Sequence, residues 1–373
     1  MFCEYKQDYI LEFQSITPGL WTMLLTLEIV STSNLSNYDK YIMHLDYNSN
    51  SFFGFTYDIE YYDLSTTSAT NTSSYCNYIG YGSTYLDLIG NNIASFGISN
   101  DNRRMATDSR KADYSAIAYE VNEFQCDNTN NLNYYSSSGN GSASFVDSST
   151  VVGCAHGFCY YDSHIYNEDE INEDPYQGLY GMASSASFYP GANSYQNSNL
   201  SEYFGEYKAT HTFLPVAYIL FMYYPFTRMM YDWSISLTTN TEQGLYTHSY
   251  MGLCSTYFNG VSYIHSAGYP TPTSINSGNS TYAKGLWVTY PLENEIILDN
   301  SYFFESDTIV VSKGNSGGPL YRYIESWYNG NYSYGSAMIV AICSSYYIPN
   351  GVFEYSYFSK ITPFLINLYR EVI

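Results

Sequence analysis

Eight consecutive residues can do chemistry: Lys313-Gly314-Asn315-Ser316-Gly317-Gly318-Pro319-Leu320. The glycine two positions before the serine lets the backbone approach a substrate closely and aim its N–H at a developing oxyanion. The glycines after the serine permit a tight turn with no side chain shielding the hydroxyl. The chemistry such a serine suits is nucleophilic acyl transfer, and a serine needs a base to carry it out. The segment also fits G-x-S-x-G, the nucleophile elbow of α/β-hydrolases, in which the histidine follows the serine. All six histidines (44, 156, 164, 211, 248 and 265) precede Ser316, which excludes that fold.

His156 is the candidate base. It lies in Gly153-Cys154-Ala155-His156-Gly157, where small neighbours keep an imidazole reachable at the end of a strand. The other five histidines have Tyr, Ser, Thr or Leu neighbours and read as structural or surface residues. A third group must orient the imidazole and stabilise its cation, which calls for a buried carboxylate. Tyr231-Asp232-Trp233-Ser234-Ile235-Ser236-Leu237 places one acid in an alternating, strand-like segment just after the apolar run 213–226. An unpaired buried carboxylate is costly, so Asp232 needs a partner, and His156 is the obvious one.

The elements that must position these residues are strands. Short runs of Tyr, Val, Ile, Thr and Phe alternate with Ser and Asn and are broken by Gly, Asn and Pro. Examples are residues 57–61, 116–121 and 335–342. A turn is expected at Asp147-Ser148-Ser149, ahead of His156. One helix is expected at the end of the chain, with Thr362 as N-cap, Pro363 in its first position, and Phe364, Leu365, Leu368 and Val372 at helical spacing. The fold class is therefore all-β with a C-terminal helix.

The chain has 373 residues, 13 Lys+Arg against 35 Asp+Glu, and a formal charge of −22. That charge repels phosphate backbones, so nucleic-acid binding is not expected. Hydrophobic content of 45% is enough for a full core. The apolar run 213–226 carries Pro215 and Pro225 and falls short of the roughly 20 residues a spanning helix needs, so no membrane insertion is expected. The start, Met1-Phe2-Cys3-Glu4-Tyr5, lacks the basic region and apolar core of a signal peptide. Seven cysteines never form the C-x-x-C spacing of a zinc site, and neither metal nor cofactor is expected. The acidic run 167–174 has oxygen ligands but not the spacing of a calcium loop, and reads as an exposed loop.

Four of the thirteen basic residues, Arg103, Arg104, Arg110 and Lys111, fall within nine positions. The cluster reads either as a processing or hinge segment or as a solvated loop. It suggests a boundary near residue 100, with a smaller β-rich N-terminal region of unknown role (a pro-segment or accessory domain) over 1–100 and the chemistry in 101–373.

The order His156, Asp232, Ser316 is that of the chymotrypsin-like double β-barrel serine proteases. Over residues 101–373 the chain resembles the branch that contains the bacterial glutamyl endopeptidases. Beyond the triad, the resemblance is carried by Asp101-Asn102-Arg103 followed by Asp113-Tyr114-Ser115-Ala116-Ile117-Ala118. It continues in Phe188-Tyr189-Pro190-Gly191, Gly268-Tyr269-Pro270 and Gly285-Leu286-Trp287, in the Gly-Asn-Ser-Gly form of the serine motif, and in the order of all these stretches. The resemblance implies a serine endopeptidase with Ser316 as nucleophile, His156 as general base and then acid, and Asp232 as orienting carboxylate. It implies an oxyanion hole from the N–H groups of Gly314 and Ser316, a protein or peptide substrate, and a location outside the cell or at its surface. Trypsin-type zymogens carry an Asp before the serine that pairs with a newly cut amine. Asn315 cannot form that ion pair, so maturation near Arg103 or Arg110 would act by another route.

The resemblance weakens at the specificity pocket. Glutamyl-specific members carry a His on the strand after the serine and a Thr five residues before it. Here Cys343 and Val311 hold those positions, with Ser344 beside Cys343. Loss of both polar groups predicts that preference for Glu is lost. Relatives also brace the histidine region with a disulfide, so Cys154 and Cys159 read either as a local bond or as two reduced, buried thiols. The unusual setting of His156 and the altered pocket keep a second function open, a catalytically inactive, protease-like binding module at the cell surface.

Overall fold

A computed structural model of the chain describes residues 10–17, 20–27, 40–48, 54–64, 70–73, 103–106, 108–110, 112–128, 133–161, 180–192, 199–220, 225–256, 264–271, 285–289, 298–299, 302–328, 331–349 and 352–373. Among these residues the chain forms two nine-stranded sheets and one separate hairpin, Ile10–Thr17 with Leu20–Leu27. Among the described residues helices are short and few, and none is long and apolar enough to cross a membrane.

The first sheet closes on itself. Ile117–Asn128 pairs with Asn133–Phe145, which pairs with Thr150–Gly153, then Ser234–Gln243, Gly205–Pro215 and Tyr180–Pro190. The last of these returns to Ile117–Asn128, completing a six-stranded antiparallel barrel. Its interior is filled by Ala118, Ala143, Phe145, Val151, Phe158, Ala183, Phe188 and Leu214. Closure removes free edges, and the β-branched Thr150, Val151 and Val152 suit a strand buried along its length. The turn before that strand forms as expected: the Asp147 carboxylate accepts from the N–H groups of Ser149 and Thr150, both at 2.7 Å.

Two strands from the N-terminal region join this sheet. Tyr41–Asp46 pairs with Gly205–Pro215, and Thr56–Tyr61 pairs with Tyr41–Asp46. Asn71 bridges to Cys254, and the Asn367 amide donates to the Leu64 carbonyl at 3.1 Å.

The second sheet runs from Leu298–Asp299 through Phe303–Ser306, Tyr355–Lys360, Asn331–Tyr347, Pro319–Tyr328, Ile264–Gly268 and Trp287–Thr289 to Arg103–Met105. Gly252–Leu253 pairs in parallel with Asn331–Tyr347. Its core holds Ile264, Phe304, Ile309, Val311, Leu320, Val340, Cys343 and Phe358. A larger apolar cluster contains Ile117, Val152, Trp233 and Tyr269 together with Tyr321, Ile342 and Leu365, and so joins the two bodies to the final helix. That helix, Pro363–Val372, is capped by Thr362, whose hydroxyl accepts from Leu365 N–H at 3.2 Å. The architecture is the all-β, chymotrypsin-like one expected, with a barrel, a second sheet and a C-terminal helix.

Two local expectations change. Asp232 lies just ahead of the strand Ser234–Gln243 rather than within it. The apolar run 213–226, which spans no membrane-length helix, ends one strand at Pro215, forms a short helix over Val216–Leu220, and at Pro225 opens another, Pro225–Met230. Pro215 lacks the N–H a continuing ladder needs, and a proline suits the first position of a helix. The basic cluster is neither a hinge nor wholly a solvated loop. Arg103–Met105 is a strand paired with Trp287–Thr289, Arg103 is buried, and Arg110 binds the Asp108 carboxylate at 2.7 Å. Lys111 and the acidic run 167–174 lie outside the described residues.

Candidate active site

The two β-bodies meet where the three candidate residues lie. Strand Thr150–Gly153 runs into extended Cys154 and a single 3-10 turn, Ala155–Gly157, which carries His156. The buried Asp232 sits at the entry to the next barrel strand. Its Oδ1 accepts from the His156 backbone N–H at 2.9 Å, and its Oδ2 accepts from His156 Nδ1–H at 2.7 Å. The two contacts fix the position of the residue and the orientation of its ring. Ser344, expected in the specificity pocket, directs its hydroxyl to Asp232 Oδ2 at 2.5 Å. Both carboxylate oxygens are thus occupied.

Burial alone would lower the His156 pKa, but the charge of the Asp232 carboxylate and its hydrogen bond hold it well above its ordinary value. Burial alone would raise the Asp232 pKa. The charge of His156 and the hydrogen bonds from His156 and Ser344 reverse that and hold it below the usual carboxylate range. An ionised Asp232 beside an imidazole that readily takes a proton is the electrostatic arrangement of a general base.

With Nδ1–H given to Asp232, Nε2 carries the ring's lone pair. The group found at Nε2 is the Cys154 thiol, with Sγ 3.6 Å away. Burial pushes that thiol up to about 11, so it is a neutral S–H donor. Among the described residues no hydrogen bond joins His156 to the Ser316 hydroxyl. Ser316 is nonetheless fastened to the same barrel, its carbonyl accepting from Ser142 N–H at 2.8 Å. The adjoining Gly317 has φ +81°, and a Cβ there would stand 3.2 Å from the Cys154 nitrogen and 2.0 Å from the Ser142 carbonyl oxygen. Only glycine permits this approach of the loop to the histidine's strand.

The N–H groups of Asn315, Gly317 and Gly318 go to the carbonyls of Ser312, Cys343 and Asn315. Those of Gly314 and Ser316 have no acceptor among the described residues. Gly314 has φ +90°, and its carbonyl is held by the Ser142 hydroxyl at 2.7 Å, which itself accepts from Tyr269 N–H. The peptide is thereby oriented with its oxygen tied to the barrel. Gly268 leaves room for this, since a Cβ there would meet Ser142 Oγ and Asn315 Nδ2, both at 2.7 Å.

Val311 and Cys343 are both buried in the core of the second sheet. Burial also raises the Cys343 thiol pKa, so it bears no charge. Cys154 and Cys159 are free, buried thiols, the second of the two readings of that pair. Donor atoms of Cys154, His156 and Asp232 lie within 4.8 Å of one another. Both Asp232 oxygens already serve His156 and Ser344, which leaves a thiol and Nε2, fewer donors than a zinc site uses.

Sequence reasoning missed the contact of Cys154 with Nε2, the alignment of Ser344 with Asp232, and the Ser142 bridge. Serines and a cysteine in β-runs carry no signal of what they touch.

A barrel set against a second sheet, with a His–Asp pair and a Gly-Asn-Ser-Gly loop at their junction, is the layout of the chymotrypsin-like class. No protein-family model and no curated protein matches the sequence. Among solved structures the chain is similar to a Glu endopeptidase in complex with MPD, at 17% identity over 74% of this chain and 98% of that one, with a TM-score of 0.46. It is similar also to the protease Anisep from Arthrobacter nicotinovorans, at 17% identity over 69% and 93%, with a TM-score of 0.40. A third is the thermostable serine protease AL20 from an extremophilic microorganism, at 13% identity over 68% and 94%, with a TM-score of 0.35. These are remote likenesses, and the chemistry rests on the residues themselves.

Proposed function

We propose that the chain is a serine endopeptidase acting outside the cell or at its surface, with residues 101–373 as its protease domain. Ser316 attacks a peptide carbonyl while His156 takes its proton, and Asp232 stabilises the resulting imidazolium. The carbonyl oxygen, negative in the tetrahedral intermediate, is received by the N–H groups of Gly314 and Ser316. His156 returns the proton to the leaving amine, and water then releases the acyl group by the same steps. The observation that carries this reading is the double contact of Asp232 with His156, set beside a serine loop whose Gly314 and Ser316 N–H groups have no acceptor among the described residues. A fluorophosphonate probe should label the protein, and the label should vanish in Ser316→Ala; an unlabelled, correctly folded wild type would refute the assignment.

The pocket favours a residue less polar than Glu before the scissile bond. Apolar Val311 and neutral Cys343 offer a buried carboxylate no partner. Profiling with a peptide library decides this, and strong selection of Glu would sink it.

A second reading, an inactive binding module, draws on one observation: Nε2 of His156 faces the Cys154 thiol and has no hydrogen bond to Ser316. Peptide binding without turnover or probe labelling would favour it.

A further inference from the structure

We propose that Arg103 is a positioning residue that clamps the serine loop from within the chain, making a newly cut N-terminal amine unnecessary. Its side chain is buried, and Nη1 donates to Ser312 Oγ at 2.7 Å and to Asn315 Oδ1 at 2.8 Å. Asn315 Oδ1 also accepts from Ser312 N–H at 3.1 Å, and Asn315 N–H donates to the Ser312 carbonyl at 2.9 Å. Asn315 is therefore held through both side chain and backbone, and it lies between the two residues whose N–H groups form the candidate oxyanion hole.

The clamp has a rigid anchor. Arg103 pairs with Thr289, Arg104 with Val288 and Met105 with Trp287, and Ala106 N–H donates to the Leu286 carbonyl at 2.8 Å. A cation on a paired strand reaches a neutral acceptor in a buried site, where charge-assisted hydrogen bonds are strongest. This answers the puzzle that Asn315 poses. Asn cannot form an ion pair with a cut amine, but its carbonyl oxygen accepts from a guanidinium without any cut. Cleavage between Arg104 and Met105 would place the guanidinium on a separate fragment and should inactivate the protein rather than mature it.

The consequence for rate rests on the proteolytic reading; the clamp itself does not. Amide hydrogen exchange and steady-state kinetics on the full chain separate the two. In Arg103→Met, exchange at the amides of Asn315, Gly317 and Gly318 should accelerate while that of Val151 and Val152 in the barrel stays unchanged. The kcat should fall by roughly a hundredfold, on the scale of losing one oxyanion donor, with KM little altered. Arg103→Lys should lie between Met and wild type, because a point charge lacks the guanidinium fork. Unchanged exchange in the loop of Arg103→Met overturns the clamp even if the wild type hydrolyses peptides. Faster loop exchange in a wild type that proves inactive upholds the clamp and removes the protease. Equal losses in kcat/KM and in global stability, with exchange raised everywhere, would also overturn it, since Arg103 would then be a fold residue only.

Discussion

The Cys154 thiol stands 3.6 Å from Nε2 of His156, on the side of the ring opposite the nitrogen held by Asp232. In the proposed mechanism Nε2 receives the proton of Ser316, so thiol and hydroxyl would compete for one lone pair. Cys154→Ala removes the competitor. Probe labelling and hydrolysis should rise by roughly two- to tenfold, the equivalent of one hydrogen bond. A complete loss of activity in a folded Cys154→Ala protein would mean that the thiol takes part in the chemistry.

The pKa of His156 is raised above its ordinary value, and only the neutral imidazole is a base. Hydrolysis should therefore climb with pH along a limb centred above about 6.5, the value for free histidine. Asp232→Asn should move that limb downward and lower kcat by about 10⁴, through the wrong tautomer. A pH profile whose midpoint is the same in Asp232→Asn would contradict the assigned pair.

Ser344 donates to Asp232 Oδ2. Removing a hydrogen bond to a buried charge costs about 1.5–3 kcal/mol, so Ser344→Ala should slow hydrolysis tenfold or more. Its cleavage preferences, measured on the same peptide library, should match the wild type. A changed preference would show that Ser344 also shapes the pocket.

Glu120 is buried beneath the histidine turn, its Oε1 accepting from the Asn122 amide at 2.6 Å and its Oε2 without a partner. Burial, moderated by Asn122 and His156, raises its pKa to about 7. The folded state thus binds this proton more tightly than the unfolded chain does. The difference costs nothing below the ordinary carboxylate value and grows until pH passes about 7. Glu120→Gln should then be relatively more stable at alkaline pH than at acid pH, by about 3 kcal/mol. Denaturant melts of both proteins across that range check it, and a difference independent of pH would reject it.

Ile42, Met43 and Leu45 of strand Tyr41–Asp46 are fully buried, Met43 and Leu45 in the barrel's cluster and Ile42 in the cluster that joins the two bodies. A chain starting at Asp101 would expose the surface they cover, at about 1.5–3 kcal/mol for each side chain. Its melting temperature should drop well below that of the full chain. Equal stability would show that residues 1–100 are dispensable to the barrel.

The glycine-rich Ser316 loop and the pairing of His156 with Asp232 were legible in the sequence because chemistry restricts residue type locally. The C-terminal helix and the Asp147 turn were legible for the same reason: a cap, a proline and an Asx turn act within four residues. What Arg103, Ser142, Cys154 and Ser344 do was not. The contacts of Ser142 and Ser344 join positions brought together where the two sheets meet, that of Arg103 reaches Asn315, 212 positions away, within the second sheet, and that of Cys154 is made by the turn that carries His156. A cluster of basic residues marked where Arg103 lay but suggested solvent or cleavage, because charge usually faces water. Only the tertiary structure, by burying that guanidinium against a neutral amide, decided that it holds the serine loop.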